Sequence, residues 1–172
     1  MRSLAFILLS LTLACTQTQE LRFKRLTVKQ SGIDFNNKLS YTEQLNPYTY
    51  KNFYNGGGVG IGDINNDGHP DIFFCGNQVS NKLYLNKGGM KFEDITEQAG
   101  LMSQNVWSAG VSMVDINGDG LLDIYVCKSG PPGGDKRHNE LFINNGDLTF
   151  SEQSDQFGLD NEGLSSHAAF FD

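Results

Sequence analysis

Twice in this chain, oxygen-bearing side chains occupy alternate positions just ahead of a strand-forming run. The first phrase is GDINNDGHPD, residues 62–71, and the second is VDINGDGLLD, residues 114–123. Asp63, Asn65, Asp67 and Asp71 stand at places 1, 3, 5 and 9 of the first loop, and Asp115, Asn117, Asp119 and Asp123 at the same places of the second. Gly68 or Gly120 at place 6 permits the chain to reverse, and the peptide oxygen of His69 or Leu121 at place 7 adds a donor. Each loop thus offers three carboxylates, one amide oxygen and one carbonyl. Hard oxygens in that number suit Ca²⁺, which takes about six to eight ligands at roughly 2.3–2.6 Å, whereas Mg²⁺ requires a stricter octahedron. Zinc would favour His or Cys. Place 12 is Phe74 or Val126 and not Glu, which separates these loops from the EF-hand. Asx turns alone would account for a single loop of this kind. Two copies, with a third beginning at Asp172, point to one calcium ion per complete loop.

The loops belong to a longer repeat. With Asp63 set over Asp115, GGGVGIGDINNDGHPDIFFC aligns with SAGVSMVDINGDGLLDIYVC at an offset of 52 residues. Further on, NKLYLNKGGMKFEDITEQAGL aligns with NELFINNGDLTFSEQSDQFGL at an offset of 58. The surplus lies in KSGPPGGDKRH, whose Pro, Gly and charge mark a surface loop. LSSHAAFFD, residues 164–172, aligns with WSAGVSMVD and ends on what would be the first ligand of a third loop, so the chain reads as part of a longer protein. At the other end, FKRLTVKQSGIDF (23–35) resembles the repeat tail FEDITEQAGL without an Asp-rich head. Such a tail could close a ring with a head from the far end. Each unit has about the length of a four-stranded propeller blade, and its parts alternate β-branched and aromatic residues between Gly and Asn turns. The expected fold is all-β, a partial β-propeller in which each Asp loop joins two strands of one blade. The expected organisation is a leader (1–15), a tether (16–22), an incomplete repeat tail and lead-in (23–54), repeat 1 (55–106), repeat 2 (107–163) and the start of repeat 3 (164–172).

The pattern G-x-x-x-x-D-x-N-x-D-G-x-x-D, followed by N-x-L-(Y/F)-x-N-x-G and a Phe-bearing tail, resembles the FG-GAP/VCBS repeat. YNGGGVGIGDINNDG, FEDITEQAGL and WSAGVSMVDINGDGLLDIYV are similar to bacterial relatives of the cartilage acidic proteins. The resemblance covers about two-thirds of the chain. It implies calcium-bearing blades like those of integrin α-subunit heads, roughly seven to a ring, often with a carboxy-terminal ASPIC/UnbV domain.

The leader is a different text. In MRSLAFILLSLTLAC, Arg2 precedes an apolar run from Leu4 to Leu13, too short to span a bilayer and suited to a signal-peptide core. Cys15 directly after it resembles the lipidated cysteine of bacterial lipoproteins, although Thr12 stands where Leu is usual. An ordinary cleaved signal with an incidental cysteine is the alternative. The lipoprotein reading implies export and a lipid anchor in the outer membrane, periplasmic or surface-facing. Cys75 and Cys127 fall at equivalent places of the two repeats, which favours separate buried thiols over a disulfide.

A net charge of −7 argues against nucleic acid as a partner. Catalytic groups are scarce: His69 lies in the metal turn, His138 in the insertion, and His167 at a strand position aligned with Gly58 and Gly110. No nucleophile elbow, zinc spacing or phosphate loop is present. The aromatic cluster Tyr48, Tyr50, Phe53 and Tyr54, with Trp107 at the matching place of repeat 2, could stack on sugars but is better suited to filling the wedge between blades. Two function classes follow. One is a non-catalytic, calcium-stabilised module that presents loops to a protein or glycan at the cell envelope. The other is the amino-terminal part of a propeller-based hydrolase or lyase whose catalytic residues lie beyond Asp172.

Overall fold

The computed structural model describes residues 23–103, 107–130 and 137–171. The leader with Cys15, the centre of the Pro/Gly insertion and Asp172 lie outside the described residues.

Two four-stranded antiparallel sheets carry the fold, each with its strands in sequence order. A single helical turn, α1 (Val28–Ser31), precedes them. The first sheet comprises β1 (Val59–Gly62), β2 (Asp71–Phe74), β3 (Lys82–Asn86) and β4 (Phe92–Asp94). The second comprises β5 (Ser108–Val114), β6 (Asp123–Lys128), β7 (Glu140–Asn144) and β8 (Phe150–Glu152), followed by one turn of helix, α2 (Ser154–Phe157). This is the all-β, blade-by-blade architecture expected from the repeat.

Alternation decides which residues enter the core. Phe73, Cys75, Leu83 and Leu85 of the first sheet meet Val111, Ile124, Val126, Phe142 and Phe150 of the second in one cluster between the sheets. Burying each large apolar side chain there contributes about 1.5–3 kcal/mol. The opposite side of the second sheet forms another cluster, in which Tyr125, Cys127, Leu141 and Ile143 pack with Leu159 and Ala168. Cys75 and Cys127 thus face successive gaps, one between the sheets and one beyond the second, and each is a free, buried thiol.

The segments flanking the sheets repeat the same contacts. The backbone N–H of Ser108 donates to the Gly76 carbonyl where β5 begins, and Ser165 N–H donates to the Lys128 carbonyl in the same way. Residues 164–171 are therefore set against β5 as β5 is set against β1. At the other end, the turn closed by left-handed Gly32 abuts the carbonyl of Phe92 in β4. The turn closed by Gly100 likewise abuts Phe150 in β8, where Phe150 N–H donates to Ala99 at 3.0 Å. The segment from Thr27 to Phe35 meets the first sheet much as the tail of the first sheet meets the second. Phe35 completes that contact by stacking on Phe74, with ring centres 4.9 Å apart.

The aromatic cluster divides. Tyr50, Phe53 and Trp107 are buried against one another with Leu39 and Leu45, in a cluster of the lead-in segment separate from the core between the sheets. Tyr48 and Tyr54 instead stand 98% and 66% exposed.

Candidate metal centre

Both Asp loops are hairpins between the first two strands of a sheet, running from Gly62 to Asp71 and from Val114 to Asp123. Their left-handed positions coincide: Asn66 and Gly118 at place 4 have φ of 57° and 75°, and Gly68 and Gly120 at place 6 have φ of 85° and 86°. A Cβ at Gly68 or Gly120 would meet no atom within 4 Å, so glycine is needed there for its backbone conformation and not for space.

The first carboxylate organises each turn. Asp63 accepts the N–H of Asp67 on Oδ1 at 3.1 Å and that of Gly68 on Oδ2 at 2.7 Å. Asp115 does the same with Asp119 and Gly120, at 3.1 and 2.9 Å. The amide of Asn65 donates to Asp67 Oδ2 at 3.0 Å, and that of Asn117 to Asp119 Oδ2 at 2.9 Å. Asp67 and Asp119 also accept the N–H of His69 and Leu121, both at 2.8 Å. The side chains at places 1, 3 and 5 are therefore drawn together around the backbone N–H groups of places 5 to 7.

Place 9 is different. Asp71 and Asp123 are fully buried beneath their loops. Asp71 accepts Ile64 N–H at 3.0 Å and Asn86 N–H at 2.7 Å. Asp123 accepts Ile116 N–H at 3.0 Å and Asn144 N–H at 2.8 Å. Every carboxylate oxygen keeps a second lone pair, so these bonds leave acceptor capacity. Among the described residues, no three His, Cys, Asp or Glu side chains gather as a metal-holding group by themselves. The set each loop offers is mixed: two outer carboxylates, an amide oxygen, a peptide oxygen and a buried carboxylate below. All are hard oxygens, and that chemistry fits Ca²⁺ better than a transition metal.

Electrostatics separate the two kinds of carboxyl. Backbone N–H donation from His69 and the Asn65 amide hold Asp67 below its ordinary value. Burial pushes Asp71 and Asp123 up, opposed by their backbone donors and reinforced by the two outer carboxylates of the same loop. That repulsion is what a bound cation would relieve.

The recurring asparagines hold the strands that carry the loops. Beyond Asn86 and Asn144, Asn81 accepts Gly76 N–H at 2.9 Å, and Asn139 accepts Lys128 N–H at 2.9 Å. Sequence reading treated these as motif letters without a role. The signal was their recurrence at an offset of 58. It also missed the His69 ring, whose Nδ1 lies 3.2 Å from Asp67 Oδ1.

Among the described residues, groups of the types used in catalysis are scattered. Lys128 Nζ reaches Ser108 Oγ at 3.3 Å and Glu140 at 2.7 Å, and both Ser108 and Lys128 are buried. His138 is half-buried and His167 is exposed. No helix among the described residues is long and apolar enough to cross a membrane.

Residues 63–126 match the family of FG-GAP-like repeats. Cartilage acidic protein 1 of Xenopus tropicalis is 38% identical over 82 residues, which are 46% of this chain and 13% of that protein. The chain thus spans a small part of the length of the curated relative it matches. The matched stretch includes both Asp loops and the strands between them, and this chain accordingly carries FG-GAP-like repeat sequence folded as two consecutive blade-like sheets.

Proposed function

We propose that this chain is a non-catalytic, calcium-stabilised repeat module, exported and anchored to the bacterial outer membrane through Cys15, which presents its loops to a ligand at the cell envelope. The observation that carries the calcium reading is the duplicated loop, with the same oxygen donors at the same places and the same internal hydrogen bonds in both copies. Bound calcium would supply the positive charge that offsets carboxylate repulsion. Asp63 and Asp115 orient the turn, Asn65 and Asn117 steer the fifth-place carboxylates, and Asp71 and Asp123 tie each loop to its sheet.

For the ligand, a glycan is favoured over a protein. Tyr41, Tyr48 and Tyr54 line an open groove of about 780 Å³ together with Glu43 and Asn46. Exposed phenol rings offer stacking faces with a hydroxyl at the rim, a chemistry suited to sugar rings. The turn beneath is held by Asn46, whose side chain donates to the Thr42 and Glu43 carbonyls and accepts from Tyr48 and Thr49.

Calorimetric calcium titration tests the metal reading. The parent chain should take up one ion per complete loop, and Asp67→Ala and Asp119→Ala should each remove one of them. Unchanged titrations in both well-folded variants would refute the assignment.

A further inference from the structure

The two Asp loops touch each other. Asn66, at place 4 of the first, donates its side-chain amide to the carbonyl of Gly120, at place 6 of the second, over 3.0 Å. Beneath them Asn144, at the end of β7, donates through Nδ2 to the Ile64 carbonyl of the first loop at 2.8 Å and to the Leu122 carbonyl of the second at 3.2 Å. Its own N–H goes to Asp123, while Ile64 N–H goes to Asp71. One buried amide therefore stands between the ninth-place carboxylates of both loops. Leu122 adds packing: a Cβ on Gly62, just ahead of Asp63, would lie 2.6 Å from Leu122 Cδ1. Asn86, the counterpart of Asn144 in the first sheet, makes the equivalent bond within its own loop, to Pro70, at 2.9 Å. The bond from Asn144 to Ile64 is what the junction between the sheets adds.

We infer that the two loops order as one unit, with Asn144 and Asn66 as the positioning residues that couple them. Opening the first loop turns the Ile64 peptide and swings the Asn66 side chain away, which removes an acceptor from the buried Asn144 amide and a donor from Gly120. A buried amide without its partner is costly, so the second loop loosens with the first. Coupling of this kind is reciprocal. Its consequence for cations rests on the calcium reading above: an ion in one loop raises the affinity of the other.

The test is a cycle on the full 172-residue chain, read by amide hydrogen exchange at residues 116–122. Asp67→Ala, which disturbs only the first loop, should speed exchange in the second by roughly fivefold or more, the low end of ordinary coupling between sites. In the Asn66→Gly background that effect should shrink. Asn66→Gly preserves the fold because the second loop already carries Gly118 at the same left-handed place. Asn144→Ala should abolish the effect, and the exposed Asn66 variant keeps the test valid should the buried one not fold. An Asp67→Ala effect absent from the parent, or equal with and without the two amides, overturns the coupling. Calcium titration of the parent alongside should be positively cooperative, and two independent sites would also overturn it. Coupled exchange without any calcium uptake would uphold the coupling and count against the calcium reading alone.

Discussion

Oδ1 of Asp71 lies 2.7 Å from the backbone nitrogen of Asn86, so the ninth member of the first Asp loop is fastened to the neighbouring strand β3. Its other oxygen holds Ile64 of the loop itself. Asp71 is thus a rivet between turn and sheet as well as a prospective ligand. Asp71→Ala should destabilise the chain by on the order of 3 kcal/mol, because two buried N–H groups lose their acceptor. Asp123→Ala should behave alike. The loss should persist in excess chelator, whereas Asp67→Ala in chelator should shift the denaturant midpoint little, since Asp67 is exposed. Urea denaturation with and without calcium separates the two classes, and equal behaviour of Asp67 and Asp71 variants in chelator would count against the rivet.

The thiols provide a second check on the packing. Cys75 sits in the cluster between the sheets, where burial pushes its thiol up to about 12, and burial raises Cys127 as well. Thiolate is the reactive form, so neither should be alkylated in the native chain near neutral pH. Peptide mass mapping after iodoacetamide should find both positions unmodified in buffer and both modified in denaturant. A Cys75–Cys127 disulfide, or rapid native labelling, would contradict the placement of the two thiols in successive gaps.

Asp94 predicts a pH effect away from the loops. Burial works to raise its pKa, but hydrogen bonds from the Lys82 ammonium and from Thr96 outweigh it and hold the carboxyl below its ordinary value of 3.8. A carboxyl with a lowered folded pKa stabilises the fold above its unfolded value, and the contribution fades as pH falls through the folded one. The parent should therefore lose stability relative to Asp94→Asn as pH drops below about 4. Above that pH the parent should be the more stable of the two, by a small margin because the pair is partly exposed. Midpoints of urea unfolding at several pH values give the comparison. A constant difference between the two proteins across the range would show that this carboxyl is not linked to folding.

Much of this was legible in the sequence because the chain writes its message twice. The alternation in DIFFC and DIYVC, bounded by Asp-Gly turns, marks strands, and the repetition fixes how many residues separate equivalent ones. The Asp and Asn positions that close each turn could be read from their spacing, since Asx side chains bond backbone N–H groups a few residues on. The dual duty of Asp71 could not, because it depends on Asn86, which only the pairing of β2 with β3 brings beside it. Nor could the division of the tyrosines: Tyr50 and Phe53 point at Trp107 while Tyr48 and Tyr54 turn outward, and composition does not distinguish these directions.

Glycines at the blade junctions supply the last prediction. A Cβ on Gly110 would lie 2.3 Å from the carbonyl oxygen of Ser166, so β5 and residues 164–171 approach through the space a side chain would occupy. At Gly58 the corresponding contact is looser, 3.0 Å from Gly110 Cα. Gly110→Ala must therefore displace backbone, while Gly58→Ala needs only a small adjustment. Forced overpacking costs about 1–3 kcal/mol. Gly120→Ala meets no atom, and its cost, about 1–2 kcal/mol, comes from the left-handed backbone alone. Stability by itself would not tell Gly110 from Gly120, but location would. Gly110→Ala should expose residues 164–171 to limited proteolysis and leave the Asp loops unchanged, and Gly120→Ala should do the reverse. Cleavage that spreads equally over both regions in both variants would mean that the third segment is not seated on β5 as described.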